Sequence, residues 1–95
     1  MKLWKFSPLA RRDMMNIWNY TKDRWGTDQA ERYARTIEHD LTAAAAGSPL
    51  VRQLGQYLRI KSGHHVCVLR RDAAGMIIVV RVLHERMDVE AWLGV

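Results

Sequence analysis

Adjacent His64 and His65, Cys67 two residues further on, and His84 downstream are residue types that could hold a metal ion. Their spacing argues otherwise: neighbouring side chains of a strand leave opposite faces, so His64 and His65 cannot easily share one ion. The histidines are therefore read as surface or hydrogen-bonding groups, and Cys67, inside an apolar run, as a small buried side chain. A second chemistry is acid–base catalysis. His65 with Arg59, Lys61, Arg81 and Arg86 could converge on a sheet as proton carrier and charge stabilisers, which keeps a small ribonuclease in view. The chain has no phosphate-cradling glycine loop, no paired-cysteine motif and no nucleophile elbow. No catalytic residue, metal ligand or cofactor is assigned.

These residues sit in two runs rich in β-branched side chains, Val66–Leu69 and Met76–Leu83, separated by the turn-prone Asp72-Ala-Ala-Gly75. An antiparallel hairpin is expected. Strict alternation would put Arg81 on one face with Ile77, Val79 and Leu83, a face open to water or a partner, and Ile78, Val80 and Val82 on the core face. Gln56–Lys61 reads as a preceding strand, Leu50–Gly55 as a basic connecting loop, and Lys2–Phe6 as a short amino-terminal strand with Trp4 and Phe6 on one face. Ser7-Pro8 signals a helix start, since serine accepts from free first-turn amides and proline has no amide to leave unpaired. Leu9, Ala10, Met14, Ile17, Trp18, Thr21 and Trp25 then recur at helical spacing as far as Gly26. Thr27 or Asp28 is expected to cap a second helix, with Glu31 in capping-box register and an apolar stripe of Ala30, Tyr33, Ala34, Ile37, Leu41 and Ala44. Asp88–Leu93 reads as one capped helical turn with Trp92 as its apolar anchor. The expected fold is α+β: a strand, a helical hairpin, a three-stranded antiparallel meander and a short carboxy-terminal helical turn.

The 95 residues allow one modest core, so residues 1–95 are expected to form a single domain. The longest apolar run, Gly75–Val80, falls far short of the ~20 residues of a membrane-spanning helix, and the amino terminus has no signal-peptide core. A single cysteine fits a reducing compartment, and a cytoplasmic location is expected. The net charge of +5 is concentrated between Gly47 and Arg71, which carries Arg52, Arg59, Lys61, Arg70 and Arg71 and no acid. Such a segment suits an anionic partner, or is simply a solvated basic surface.

Phe6-Ser-Pro-Leu-Ala-Arg-Arg-Asp13, Ile17-Trp-Asn-Tyr20, Trp25-Gly-Thr-Asp-Gln-Ala-Glu-Arg-Tyr33, Ser62-Gly-His-His65 and Val80-Arg-Val-Leu-His-Glu-Arg-Met-Asp88 resemble the ParE toxins of bacterial toxin–antitoxin systems. The resemblance spans nearly the whole chain. It implies the RelE/ParE fold, a helical hairpin on an antiparallel sheet, and a protein that inhibits DNA gyrase and is neutralised by a ParD-like antitoxin. It implies no small-molecule substrate and no membrane partner, and direct nucleic-acid binding is not expected. RelE-like relatives instead cut messenger RNA on the ribosome. Where they usually carry a catalytic arginine after an aromatic, this chain has His65, and where they use a tyrosine near the carboxy-terminal helix it has Ala91 and Trp92. That mechanism thus lacks two parts, although histidine can itself act as acid or base. A third reading is a binding module without toxicity. For contact with the target the expected residues are Arg70, Arg81, His84 and Arg86, Arg86 having as its other reading an ion pair with Asp88 or Glu90. For contact with the antitoxin they are Trp18, Trp25 and Tyr33, core packing being the other reading of these three.

Overall fold

The computed structural model describes residues 3–93, so Lys2, the expected start of the first strand, lies outside the described residues. The elements are β1 (Trp4–Phe6), α1 (Pro8–Trp25), α2 (Thr27–Ala45), β2 (Arg52–Leu54), β3 (Tyr57–Ser62), β4 (His65–Arg71), β5 (Ile77–His84) and α3 (Val89–Leu93). They form an α+β architecture with one five-stranded sheet in the order β1-β5-β4-β3-β2. Strand β1 runs parallel to β5, and the other pairings are antiparallel. The segment expected as a basic loop thus contains an edge strand, β2. Its three residues include two polar ones, too few for an alternation pattern to register.

Ser7 does what its type predicts and more. Its Oγ accepts from the Ala10 amide at 3.1 Å, capping α1, and donates to the Val80 carbonyl at 2.9 Å, while its own N–H reaches the Val79 carbonyl. One residue therefore starts the helix and fixes it to the sheet. Gly26, at φ 93°, closes α1 through its amide to Lys22 and begins α2 through its carbonyl. This overturns the expected cap at Thr27 or Asp28: both lie inside α2, which has no side-chain cap, because the one-residue joint leaves no flanking position for one. Ala30, Ile37, Leu41 and Ala44 of α2 are buried against the sheet, and the Trp4 indole donates to Thr42 Oγ1 at 3.1 Å.

Strand β5 departs from simple alternation. Val68 pairs with Arg81 but Leu69 pairs with Val79, so Val80 is an extra residue, a β-bulge. The bulge resets the pleat: Ile77, Val79 and Val82 all belong to the core beneath the helices. Leu83 instead joins Val66, Val68 and Leu54 in a second buried cluster, which α3 covers with Val89. The expected grouping of Arg81 with Ile77, Val79 and Leu83 is corrected accordingly, and so is the expectation that their face lies open. Val89 is also the anchor of α3 in place of Trp92, which is 57% exposed with its ring 5.2 Å from the Arg81 guanidinium. Asp88 caps that turn as expected, accepting from Ala91 at 3.2 Å.

At the bulge β5 has passed the end of β1 and has no neighbouring strand on that side. Asp13 of α1 takes the place of one. Its carboxylate accepts from the Val82 amide at 2.9 Å and from Arg81 Nε and Nη2 at 2.8 and 3.1 Å, in a largely buried position. A fork-shaped pair of this kind leaves both charges unsatisfied when one partner is removed. Asp13→Ala should lower unfolding free energy by about 2–4 kcal/mol in urea titrations, whereas Asp13→Asn, which keeps an acceptor for Val82, should lose roughly half of that.

Candidate functional site

Between the helical hairpin and the ends of β4 and β5 lies a groove of about 870 Å³. Ile17, Tyr20 and Trp25 of α1 and Tyr33 of α2 form its walls, and His65 and His84 lie side by side across it. Glu85 and Arg86 stand at its rim. The two imidazoles are cross-strand partners with ring centres 5.3 Å apart and nearly perpendicular planes.

Each ring is fixed by a specific contact. The Tyr33 hydroxyl accepts from the His64 amide at 2.9 Å and shares a hydrogen bond with His65 Nδ1, 2.6 Å away. His84 Nδ1 accepts from the Arg86 amide at 3.1 Å. With its Nδ1 an acceptor, a neutral His84 ring carries its proton on Nε2, while the Tyr33 hydrogen bond holds His65 through Nδ1 and leaves its Nε2 as the other ring nitrogen. In that tautomer the free nitrogen of His84 is a hydrogen-bond donor, where a metal would need a lone pair. Among the described residues no group of three or more His, Cys, Asp or Glu is placed to hold a metal ion.

The support is tight. Gly63, at φ +57°, turns β3 into β4 directly under the Tyr33 ring, and a Cβ there would lie 2.7 Å from Tyr33 Cε1. Only glycine allows both the backbone conformation and the approach. Burial pushes the His65 imidazole down to about 4, with the neighbouring His84 and His64 acting in the same direction and Glu85 and Asp13 opposing it. Burial also raises the Tyr33 phenol above its ordinary value. Cys67, fully buried, is pushed up to about 12 and stays a packing thiol, as its apolar surroundings suggested.

The cations expected to converge on His65 are dispersed. Arg59 and Lys61 pair with Val68 and Val66, whose side chains lie in the outer cluster, while His65 faces the helices. Lys61 reaches Glu85 at 3.7 Å, and Arg81 is bound to Asp13. Only Arg86 shares the groove with His65. The four residues read as target contacts likewise separate. His84 and Arg86 line the groove, Arg81 sits between Asp13 and Trp92, and Arg70 is exposed on β4 opposite Ile78. Among the described residues Arg86 has no ion pair, so the pairing with Asp88 or Glu90 is not formed. Trp25 and Tyr33 are groove walls, whereas Trp18 is half-buried beside it with Lys22 over its ring. Core packing does not describe Trp25, which is 64% exposed and stands edge-on to Tyr20. Sequence reasoning missed Tyr20 as a wall, since nothing in its local pattern marks it, and missed Asp13. The latter had a signal: a lone acid beside two arginines on an otherwise basic helix start.

The description "ParE toxin of type II toxin-antitoxin system, parDE" belongs to the family whose profile matches residues 4–89. Toxin ParE1 of Mycobacterium tuberculosis is 42% identical over 88 residues, covering 88% of this chain and 90% of the relative. Toxin ParE1 of Caulobacter vibrioides is 37% identical over 98 residues, covering 99% of this chain and all of the relative. A solved structure from a chromosomal ParDE system of Pseudomonas aeruginosa superposes with a TM-score of 0.71 at 14% identity, covering 88% of this chain and 96% of that one; it is a likeness of fold.

Two measurements check the groove's geometry. Gly63→Ala, which meets both the φ penalty and the Tyr33 ring, should destabilise the protein by about 2–4 kcal/mol in chemical denaturation. A histidine-resolved NMR titration should place the His65 midpoint near 4. Since the folded value lies below the unfolded 6.5, the stability that this neutral ring contributes is complete above pH 6.5 and lost as pH falls through 4.

Proposed function

From the premise that this chain belongs to the ParE toxin family of type II toxin–antitoxin systems, we propose that it binds DNA gyrase and blocks the enzyme during DNA cleavage and rejoining. On this reading it arrests replication without catalysing a reaction of its own, and a ParD-like antitoxin neutralises it in the cytoplasm. The observation that carries the reading is the family match along residues 4–89. The site supports a binder in preference to a nuclease. Phosphodiester cleavage needs cations aimed at developing charge, and here Arg59, Lys61 and Arg81 are directed away from His65. No helix among the described residues is long and apolar enough to cross a membrane, and both partners on this reading are proteins. The net charge of +5 suits an acidic one.

Target contact on this reading falls to His84 and Arg86 in the groove and to Arg70 and Arg81 at their separate places on the sheet. Arg81 is a poor probe, because its loss also unseats Asp13 from the bulge. The cleaner test is supercoiling of relaxed plasmid by purified gyrase with the wild type and with an Arg70→Ala/Arg86→Ala variant. The wild type should inhibit, the antitoxin should reverse the inhibition, and the variant should need at least about tenfold more protein, the equivalent of about 1.4 kcal/mol of contact. Unimpaired gyrase, with cleavage of messenger RNA on ribosomes, would replace this reading with the RelE-like one.

A further inference from the structure

We infer that the groove floor reads a carboxylate: His65 and His84 present their Nε2–H donors, with Arg86 beside them, to one acidic side chain of an otherwise apolar antitoxin segment lying between α1, α2 and β5. The inference rests on the antitoxin reading above and adds the chemistry by which the segment is recognised. Its basis is the way the two Nδ1 atoms are held. Tyr33 and the Arg86 amide take up both Nδ1 atoms, so Nε2 is the remaining nitrogen of each ring, a donor in neutral His84 and in protonated His65, and among the described residues neither Nε2 has a partner. Two imidazoles 5.3 Å apart by ring centre, in a groove also lined by Arg86, which makes no ion pair among the described residues, form a site for an anionic oxygen acceptor.

The walls identify the molecule that brings that oxygen. Ile17, Tyr20, Trp25 and Tyr33 are apolar or aromatic, and Tyr20 and Trp25 are 58% and 64% exposed, with the Arg24 guanidinium 5.4 and 5.7 Å from their ring centres. A nucleic-acid strand presents phosphates in succession and requires successive cations. The groove has Arg86 at its rim and Arg24 over the Tyr20 and Trp25 rings at its far wall, two separated cations and not a succession. A peptide with apolar side chains around one carboxylate matches both walls and floor. The groups that set the floor's charge are His64, Glu85 and Arg86 at the strand ends, Asp13 on α1 and Tyr33 on α2. Glu85 lies 3.7 Å from Lys61 and 3.5 Å from His64, and Asp13 is bound to Arg81 and Val82, so both intrinsic carboxylates already have cationic or amide partners. Tyr33 and Gly63 act as positioning residues for His65.

A carboxylate arriving on His65 would favour its protonated form, raising its titration midpoint from about 4 by roughly 1–3 pH units. The test is calorimetric titration of the full chain with purified antitoxin at pH 5.5 in buffers of different ionisation enthalpy. Expected are net proton uptake on binding, and loss of both that uptake and about tenfold in affinity in His65→Gln/His84→Gln. Equal affinity and unchanged proton linkage in the double variant would overturn the inference while leaving the antitoxin reading standing; an antitoxin that does not bind the wild type would overturn both. Should the double variant not fold, imidazole NMR of the wild-type complex decides. Displaced His65 and His84 Nε2 signals support the inference, unmoved ones overturn it, and displacement by a short DNA duplex but not by the antitoxin overturns it in favour of nucleic acid.

Discussion

One carboxylate joins the two layers of this protein. Asp13 reaches from α1 to a place where β5 bulges and has no strand beside it, and there satisfies the Val82 amide and the Arg81 guanidinium together. The bulge would otherwise leave a backbone donor unpaired at a half-buried position, a loss comparable to that of a whole hydrogen bond. Because the bulge turns Val82 and His84 toward the helices and Leu83 away from them, the stretch of β5 that Asp13 holds is also the one that decides which side chains face the groove. It also positions Arg81 under Trp92, so α3 is tied indirectly to α1.

What was legible in the sequence follows from this. The helical hairpin could be read because serine, proline and glycine mark its ends and its stripes have helical period. The β4–β5 hairpin could be read because its strands are β-branched and the Asp72 carboxylate closes the turn, accepting from Ala74 and Met76 at 2.9 Å. The bulge could not. A one-residue insertion in a pairing has no period of its own, and it inverts every assignment of face beyond it. Strand β2 was invisible for a different reason: it is held by pairing with β3, a tertiary circumstance with no local pattern.

The groove was legible only in parts. Tyr33, His65, His84, Arg86 and Trp25 each drew attention as individual residues, but as members of separate hypotheses about core, catalysis, target and antitoxin. Their meeting depends on the φ of Gly63, the Tyr33 hydroxyl bridging α2 to the β3–β4 turn, and the register that sets His65 opposite His84. None of these is a property of a sequence window. Assembled, they make two hydrogen-bonded imidazoles between aromatic walls, with the cations dispersed around them, the arrangement on which the proposed recognition role draws.

The central claim is that this toxin acts by occupying its target and not by turnover. The most direct measurement is the dependence of purified gyrase activity on the molar ratio of this chain to enzyme, with ribosomes and messenger RNA challenged in parallel by the same preparation. The account predicts inhibition that saturates near stoichiometric amounts, together with intact RNA. Loss of RNA at far below stoichiometric amounts, with gyrase unaffected, would contradict it.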